Sequence, residues 1–250
     1  MRSVWQEPAP SIGHHLPGGA CSLDADPAPR WPITIESTRA LHGLVTAISG
    51  LPHHPTVPTV VLAPWPDGLG WAAYVATDGA ARAMAGRTHT GAHLFGRPCN
   101  VRCGPLMRLR SPVVSGVGPR ELRVRTLTPL VVRGNGRVND GGREGAGGRR
   151  RTHYDAPNGG LLTSTLSAWL PRRVGLQLRP DVLRTEIVSV RGRGRTVRIG
   201  GHLGSVRGWE GELVVRTNAV GEWLWALGAL LGVGGRVGFG FGRVEVERCP

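Results

Sequence analysis

Residues 232–243 read Gly-Val-Gly-Gly-Arg-Val-Gly-Phe-Gly-Phe-Gly-Arg, and the rest of the chain is best read outward from them. Two tight pairs, Gly232-x-Gly234 and Gly240-x-Gly242, stand five residues apart, and each encloses an apolar residue, Val233 or Phe241. Glu222 to Leu231 ahead of them reads as a helix, and Arg243 to Glu247 behind them alternates as a short strand. Glycine admits positive φ and lets backbone N–H groups come close to a phosphate. The stretch therefore reads as a cradle for a polyanion, or else as a glycine-rich turn with no ligand. The dinucleotide fingerprint is excluded, because it needs a strand before the glycines and a helix after them. The nucleotide phosphate loop is excluded as well: it ends in Gly-Lys-Ser/Thr, and this chain has no lysine.

Composition points the same way. The chain has 250 residues, enough for one large domain or two small ones, and carries a formal net charge of +14. Such a charge favours an anionic partner, most simply nucleic acid. All 31 basic residues are arginine, the side chain suited to bidentate phosphate contact and to stacking on bases. Aromatic residues make up only 5%, so gripping a folded hairpin by shape and phosphate is favoured over broad stacking on single strands. No run of 18 uninterrupted apolar residues marks a spanning helix, and no apolar signal core opens the chain, so the expected location is cytoplasmic, away from membranes. Four cysteines, Cys21, Cys99, Cys103 and Cys249, are too sparse for a disulfide framework.

Along the chain, residues 1–29 are rich in Pro, Gly and Asp and read as an irregular extension. Arg30–Glu36 reads as a strand. Ser37–Ile48 reads as a helix with Leu41, Leu44, Val45 and Ile48 on one face. Val57–Ala63 and Gly70–Ala76 read as strands joined around Pro66-Asp67-Gly68, Asp78–Ala85 as a helix, and Leu106–Arg110 as a fourth strand. That order is ferredoxin-like, with a domain over 30–115. A second domain, 120–250, opens with a long strand, Glu121–Arg133. A loop of Gly, Arg, Asn and Asp follows over 134–151. Next come a helix at Gly160–Leu170 and strands at Leu183–Val190, Thr196–Leu203 and Glu212–Arg216. The helix before the glycines and the last strand complete it. The expected class is α+β, two similar folds in tandem with a C-terminal glycine-rich loop.

The order and spacing of 232–242 resemble the C-terminal loop of the CRISPR repeat-processing endoribonucleases. These enzymes belong to the repeat-associated mysterious protein, or RAMP, superfamily. Gly208-Trp209-Glu210-Gly211-Glu212-Leu213-Val214-Val215-Arg216 looks like the family's Gly-aromatic-x-Gly strand, and Leu127-Thr128-Pro129-Leu130 like the strand that opens its C-terminal domain. The resemblance implies two ferredoxin-like domains and cutting of precursor CRISPR RNA within each repeat. Attack by the RNA's own 2′-hydroxyl would give a 2′,3′-cyclic phosphate without metal or cofactor. The implied partners are the repeat stem-loop and the mature guide RNA. The alternative within the superfamily is a non-catalytic subunit that binds the guide RNA handle beside other subunits of an effector complex.

The resemblance also implies a histidine acid/base in or just after the first helix. His42, in Arg39-Ala40-Leu41-His42-Gly43-Leu44-Val45, matches that place, with Arg39 three residues earlier as its cationic partner. On the helix His42 lies at the edge of the apolar stripe, where it either faces a cleft or sits on the surface. His53 and His54, between prolines, are the rival candidates. Neither Tyr74 nor Tyr154 lies near this helix in sequence. His89-x3-His93-x5-Cys99-x3-Cys103 has internal spacings allowed for zinc, but its middle gap is short, and buried thiols with loop histidines are the simpler account. Arg191, Arg193 and Arg195, followed by Arg198, would face one way in an extended strand, about 6–7 Å apart, a spacing suited to a nucleic-acid backbone. Arg149, Arg150, Arg151, Arg172 and Arg173 add charge. Gly232, Gly234, Arg236, Gly240, Gly242 and Arg243 complete the expected RNA contacts.

Overall fold

The computed structural model describes residues 15–26, 42–48, 60–64, 71–94, 97–116, 118–134, 152–153, 157–168, 170, 174, 178, 183–198 and 205–250. The first half forms one antiparallel sheet from β1 (Gly19–Asp26), β2 (Val60–Pro64), β3 (Trp71–Val75), β4 (Thr88–Leu94) and β5 (Arg97–Cys103), in the order β2-β3-β1-β5-β4. Successive strand residues point to opposite faces, and β3 shows what that does here. Ala73 and Val75 join Val45 and Ile48 of helix α1 (42–48) and Ala80, Ala81 and Met84 of α2 (Asp78–Met84) in one apolar cluster. Tyr74, between them, joins the core of the other half instead, together with Leu16. Its hydroxyl donates to the Pro17 carbonyl at 2.6 Å, and burial pushes its pKa up. Through Tyr74 and Leu16 the first half thus enters the core of the second.

The second half is the sheet β11-β6-β10-β9, built from β6 (Arg120–Thr126), β9 (Thr185–Arg198), β10 (Ser205–Thr217) and β11 (Val244–Arg248). A separate two-stranded pair joins β7 (Arg133–Gly134) to β8 (Thr152–His153). Helix α3 (Gly159–Ala168) supplies Leu162 and Leu166 to the core. Helix α4 (Ala219–Leu231) supplies Val220, Trp223, Leu224, Leu227 and Leu231, a face recurring at three and four residues. The buried Asn218 caps α4, its Oδ1 accepting from the Gly221 N–H at 3.0 Å. The helix stops at Gly232, whose φ of 81° an L side chain rarely adopts. Glu222 on α4 is ion-paired with Arg120 of β6 at 2.5 Å and with Arg248 of β11, tying helix to sheet. Removing Glu222 would leave the poorly exposed Arg120 without its counter-charge, though still donating to the carbonyls of Ser115, Gly116 and Gly118.

Several expectations need correction. Residues 1–29 are not irregular throughout. Gly19–Asp26 is the central strand of the first sheet, paired with both β3 and β5, because Cys21 and Leu23 alternate with Ser22 and Asp24 inside a Pro- and Asp-rich context that hides them. Leu106–Arg110 is not a strand. It meets residues 15–20 only through isolated bridges at Met107 and Arg110. The missed elements are β4 and β5. Cys99, Val101 and Cys103 alternate inward along β5, but a Cys-x3-Cys spacing also suits a metal, which masks the strand period. The long strand from Glu121 ends at Thr126, before Pro129, and Leu130 and Val131 keep only single bridges. Leu183–Val190 and Thr196–Leu203 are, within the described residues, one strand of 14 residues, β9. The expected strand Arg30–Glu36, the turn 66–68 and the loop 135–151 lie outside the described residues.

Candidate functional site

The glycine-rich loop closes on itself before it meets anything else. The Val233 N–H donates to the Gly242 carbonyl at 2.7 Å, which brings the two glycine pairs side by side. Gly235 donates to Val131 at 2.7 Å and Gly242 to Pro129 at 2.9 Å, seating the loop on the Thr-Pro-Leu segment. Thr128 fastens it: Oγ1 donates to the Gly240 carbonyl at 2.7 Å and accepts from the Arg243 N–H at 3.0 Å. A 3-10 turn, Val237–Phe239, projects between the pairs, with Phe239 donating to Arg236 at 2.9 Å and Gly240 to Val237 at 2.8 Å. Gly232, Gly234, Gly240 and Gly242 are buried, with φ of 81°, 88°, 88° and 71°. The N–H groups of Gly232, Val233, Gly235, Gly240, Gly242 and Arg243 are thus spent within the chain. At those positions the glycines shape the loop and do not present bare N–H groups to a phosphate.

What the loop does present is the turn, and His42 is packed on it. His42 is the first described residue of helix α1, whose Val45 and Ile48 are anchored in the first core, and Thr46 Oγ1 donates to the His42 carbonyl at 2.8 Å. The side chain is 7% exposed. Its imidazole lies against Gly238. A methyl group on that glycine would stand 2.9 Å from Cε1 and 3.1 Å from Nδ1 and Nε2. Phe239 meets the same imidazole at 5.8 Å between ring centroids and 89° between planes. The Arg236 guanidinium lies 5.6 Å from the centre of the Phe239 ring. Arg236 is the one non-glycine with positive φ among the described residues, at 61°. Strand β2 runs beside this turn and α4. A helix from the first half and a loop from the second therefore meet at a histidine, beside a phenylalanine that carries an arginine over its ring.

The other sequence candidates are more dispersed. Arg39, His53, His54, Arg149, Arg150, Arg151, Arg172 and Arg173 lie outside the described residues. Arg191, Arg193 and Arg195 are extended and exposed on β9, and Arg198 is exposed at its end. The sheet face around them is striped with opposite charge. Glu245, Arg125, Glu212 and Arg191 are in register across four strands, with Glu210 opposite Arg193. Arg195 pairs with Glu210 at 2.7 Å, Arg123 with Glu212 at 3.6 Å and Arg216 with Glu121 at 2.7 Å. Further along the same strand, Val197 packs against the cluster of Val131, Val206 and Phe241, so the arginine row leads toward the glycine-rich loop. Arg243 is partly buried, and burial lowers its guanidinium to about 10, which leaves it charged at neutral pH.

His89 and His93 stand on strand β4 and not in a loop, with both side chains exposed. Cys99 and Cys103 point into the core from β5. Burial pushes the Cys103 thiol up to about 11, so it is no nucleophile at neutral pH. Among the described residues no group of three or more His, Cys, Asp or Glu is placed to hold a metal. Sequence reasoning missed Gly238, Phe239 and Thr128. Gly238 does not need positive φ. It needs room for a ring that comes from residue 42, and no local pattern can announce that. Among the described residues no helix is long and apolar enough to cross a membrane.

No protein-family model matches the chain, and no curated protein matches it. Solved structures do. A Cas6 product complex is similar over 94% of this chain and 100% of its own, with a TM-score of 0.58 and 18% identity. Thermus thermophilus Cas6 is similar over 94% and 100%, with a TM-score of 0.52 and 15% identity. A Cas6-related protein of Pyrococcus furiosus is similar over 92% and 98%, with a TM-score of 0.53 and 13% identity. The chain has the α+β fold of these Cas6 proteins along nearly its whole length.

Proposed function

We propose that this protein is a CRISPR repeat-processing endoribonuclease of the Cas6 type, built from two ferredoxin-like halves. The observation that carries the reading is His42 of the first helix held against Gly238 and Phe239 of the glycine-rich loop. The strand order β2-β3-β1-β5 and the fold likeness support it. The substrate is the repeat stem-loop of precursor CRISPR RNA, and the processed guide RNA stays bound, in the cytoplasm.

The chemistry asks little of the protein. The 2′-oxygen attacks the adjacent phosphorus, the bond to the 5′-oxygen breaks, and a 2′,3′-cyclic phosphate and a 5′-hydroxyl remain. The site must hold the two oxygens in line, move one proton and neutralise the crowded phosphorane. His42 handles the proton. Arg39, the cationic partner of His42, meets the charge. Arg191, Arg193 and Arg243 guide the backbone toward the loop.

The test is cleavage of a repeat stem-loop in EDTA, repeated with a 2′-deoxy nucleotide at the cut. Cutting in chelator, lost on the deoxy substrate, is expected. Loss in EDTA or cutting of the deoxy substrate refutes the mechanism. Tight binding with no cutting under any condition identifies the non-catalytic, handle-binding alternative.

A further inference from the structure

We propose that Phe239 is a positioning residue for the His42 imidazole, and that Arg236, lying over the Phe239 ring, fixes that ring. The proposal rests on the function assigned above to His42. Three observations converge on it. The Phe239 and His42 rings meet perpendicular, 89° apart in plane with centroids at 5.8 Å, an arrangement that the charge distribution of aromatic rings favours. The Arg236 guanidinium lies 5.6 Å from the Phe239 centroid, within reach of cation–π attraction. Arg236 also holds a left-handed backbone, φ 61° and ψ 21°, which side chains other than glycine rarely adopt.

Strain of this kind persists where the surroundings over-determine it. Here the αL residue caps the 3-10 turn, its carbonyl accepting from the Phe239 N–H at 2.9 Å. The arginine therefore engages Phe239 twice, through the backbone and through the ring face. Phe239 in turn borders the imidazole, while Gly238 lies beneath it. A glycine at 236 would take the αL turn more readily but would leave the Phe239 ring without its cation. On this account the loop presents an oriented ring to a histidine that arrives from the other half of the chain. Neither Phe239 nor the Arg236 side chain needs to touch RNA for this role.

The experiment measures single-turnover cleavage and equilibrium binding of one repeat stem-loop by four variants: Phe239→Leu, Phe239→Tyr, Arg236→Gly and the double variant Phe239→Leu/Arg236→Gly. Thermal melting of each variant checks folding. Phe239→Leu is expected to slow cleavage about tenfold, the scale of a lost ring contact and a sub-ångström displacement, with RNA affinity little changed. Phe239→Tyr keeps the ring and should restore the rate. Adding Arg236→Gly to Phe239→Leu should cost little further rate, because the cation acts through the ring. The proposal is overturned by a wild-type rate in Phe239→Leu, by failure of Phe239→Tyr to restore it, by a rate loss matched by an affinity loss, or by additive losses in the double variant. A wild-type protein that leaves the stem-loop uncut overturns the assigned function and this proposal together. If the wild type cuts, His42→Ala does not and Phe239→Leu cuts at full rate, the present proposal alone fails.

Discussion

Replacing Gly238 by alanine perturbs the site by one methyl group, and the geometry sets the size of the effect. That methyl would lie 2.9 Å from His42 Cε1 and 3.1 Å from both ring nitrogens. Carbon atoms rest comfortably at about 3.5 Å or more, so the imidazole must retreat by roughly 0.6 Å. Phe239 stands against the same ring, and the side chain is nearly buried, so the retreat is a change of position and not a free rotation. A misplacement of about 1 Å can cost about 100-fold in rate, and half of that suggests about tenfold. Gly238 has no positive φ, so alanine fits the backbone, and the crowding should cost about 1–3 kcal/mol of stability without unfolding the protein. Gly43→Ala is the control. It sits beside His42 in α1, but its methyl would point into open space. The assay is single-turnover cleavage at saturating protein, with chemical denaturation of each variant. A full rate in Gly238→Ala, or an equal loss in Gly43→Ala, would show that contact with the loop does not govern the histidine.

The remaining predictions concern binding and stability. Changing Arg191, Arg193 and Arg195 together to alanine should flatten the salt dependence of RNA binding by only about 1.4–1.8 log units. That is the share of two phosphate contacts, because Arg195 is already paired with Glu210; an unchanged slope in a salt titration would place the whole row in solvent. Trp225→Phe should cost about 1–2 kcal/mol less than Trp223→Phe. The buried Trp225 indole N–H has no acceptor among the described residues, whereas that of Trp223 donates to Ser111 Oγ at 3.3 Å. Urea unfolding showing Trp225→Phe as the costlier change would refute this.

The legible parts of the sequence were those with long periods or strong stops. Helix α4 could be read from its apolar spacing and from the glycine that ends it. The long hairpin was legible only in pieces, because β9 is exposed along most of its length and its Arg-Gly repeat interrupts the apolar period. The first strand was hidden because prolines and aspartates around Gly19–Asp26 swamp a period of two carried by small residues. Strand β5 was hidden because cysteine packs as a small apolar residue while suggesting a ligand. His42 could be nominated from its place in the first helix. Its surroundings could not, because Gly238 lies 196 positions away and contributes only the absence of a side chain. The glycine pairs are plain in the sequence, but their part in shaping the loop is not: the N–H groups of Gly232, Val233, Gly235, Gly240 and Gly242 turn back onto carbonyls of the helix end, the loop and the segment around Pro129.

The central claim is that His42, set on the turn of the glycine-rich loop, moves the proton in RNA cleavage. The most direct measurement is the single-turnover rate of His42→Ala on a repeat stem-loop in EDTA, beside its dissociation constant for a 2′-deoxy version of the same RNA. The account predicts a rate about 10²–10⁴-fold below wild type, the usual worth of a positioned acid or base, with affinity nearly unchanged. Cleavage at the wild-type rate by a folded His42→Ala protein would contradict it.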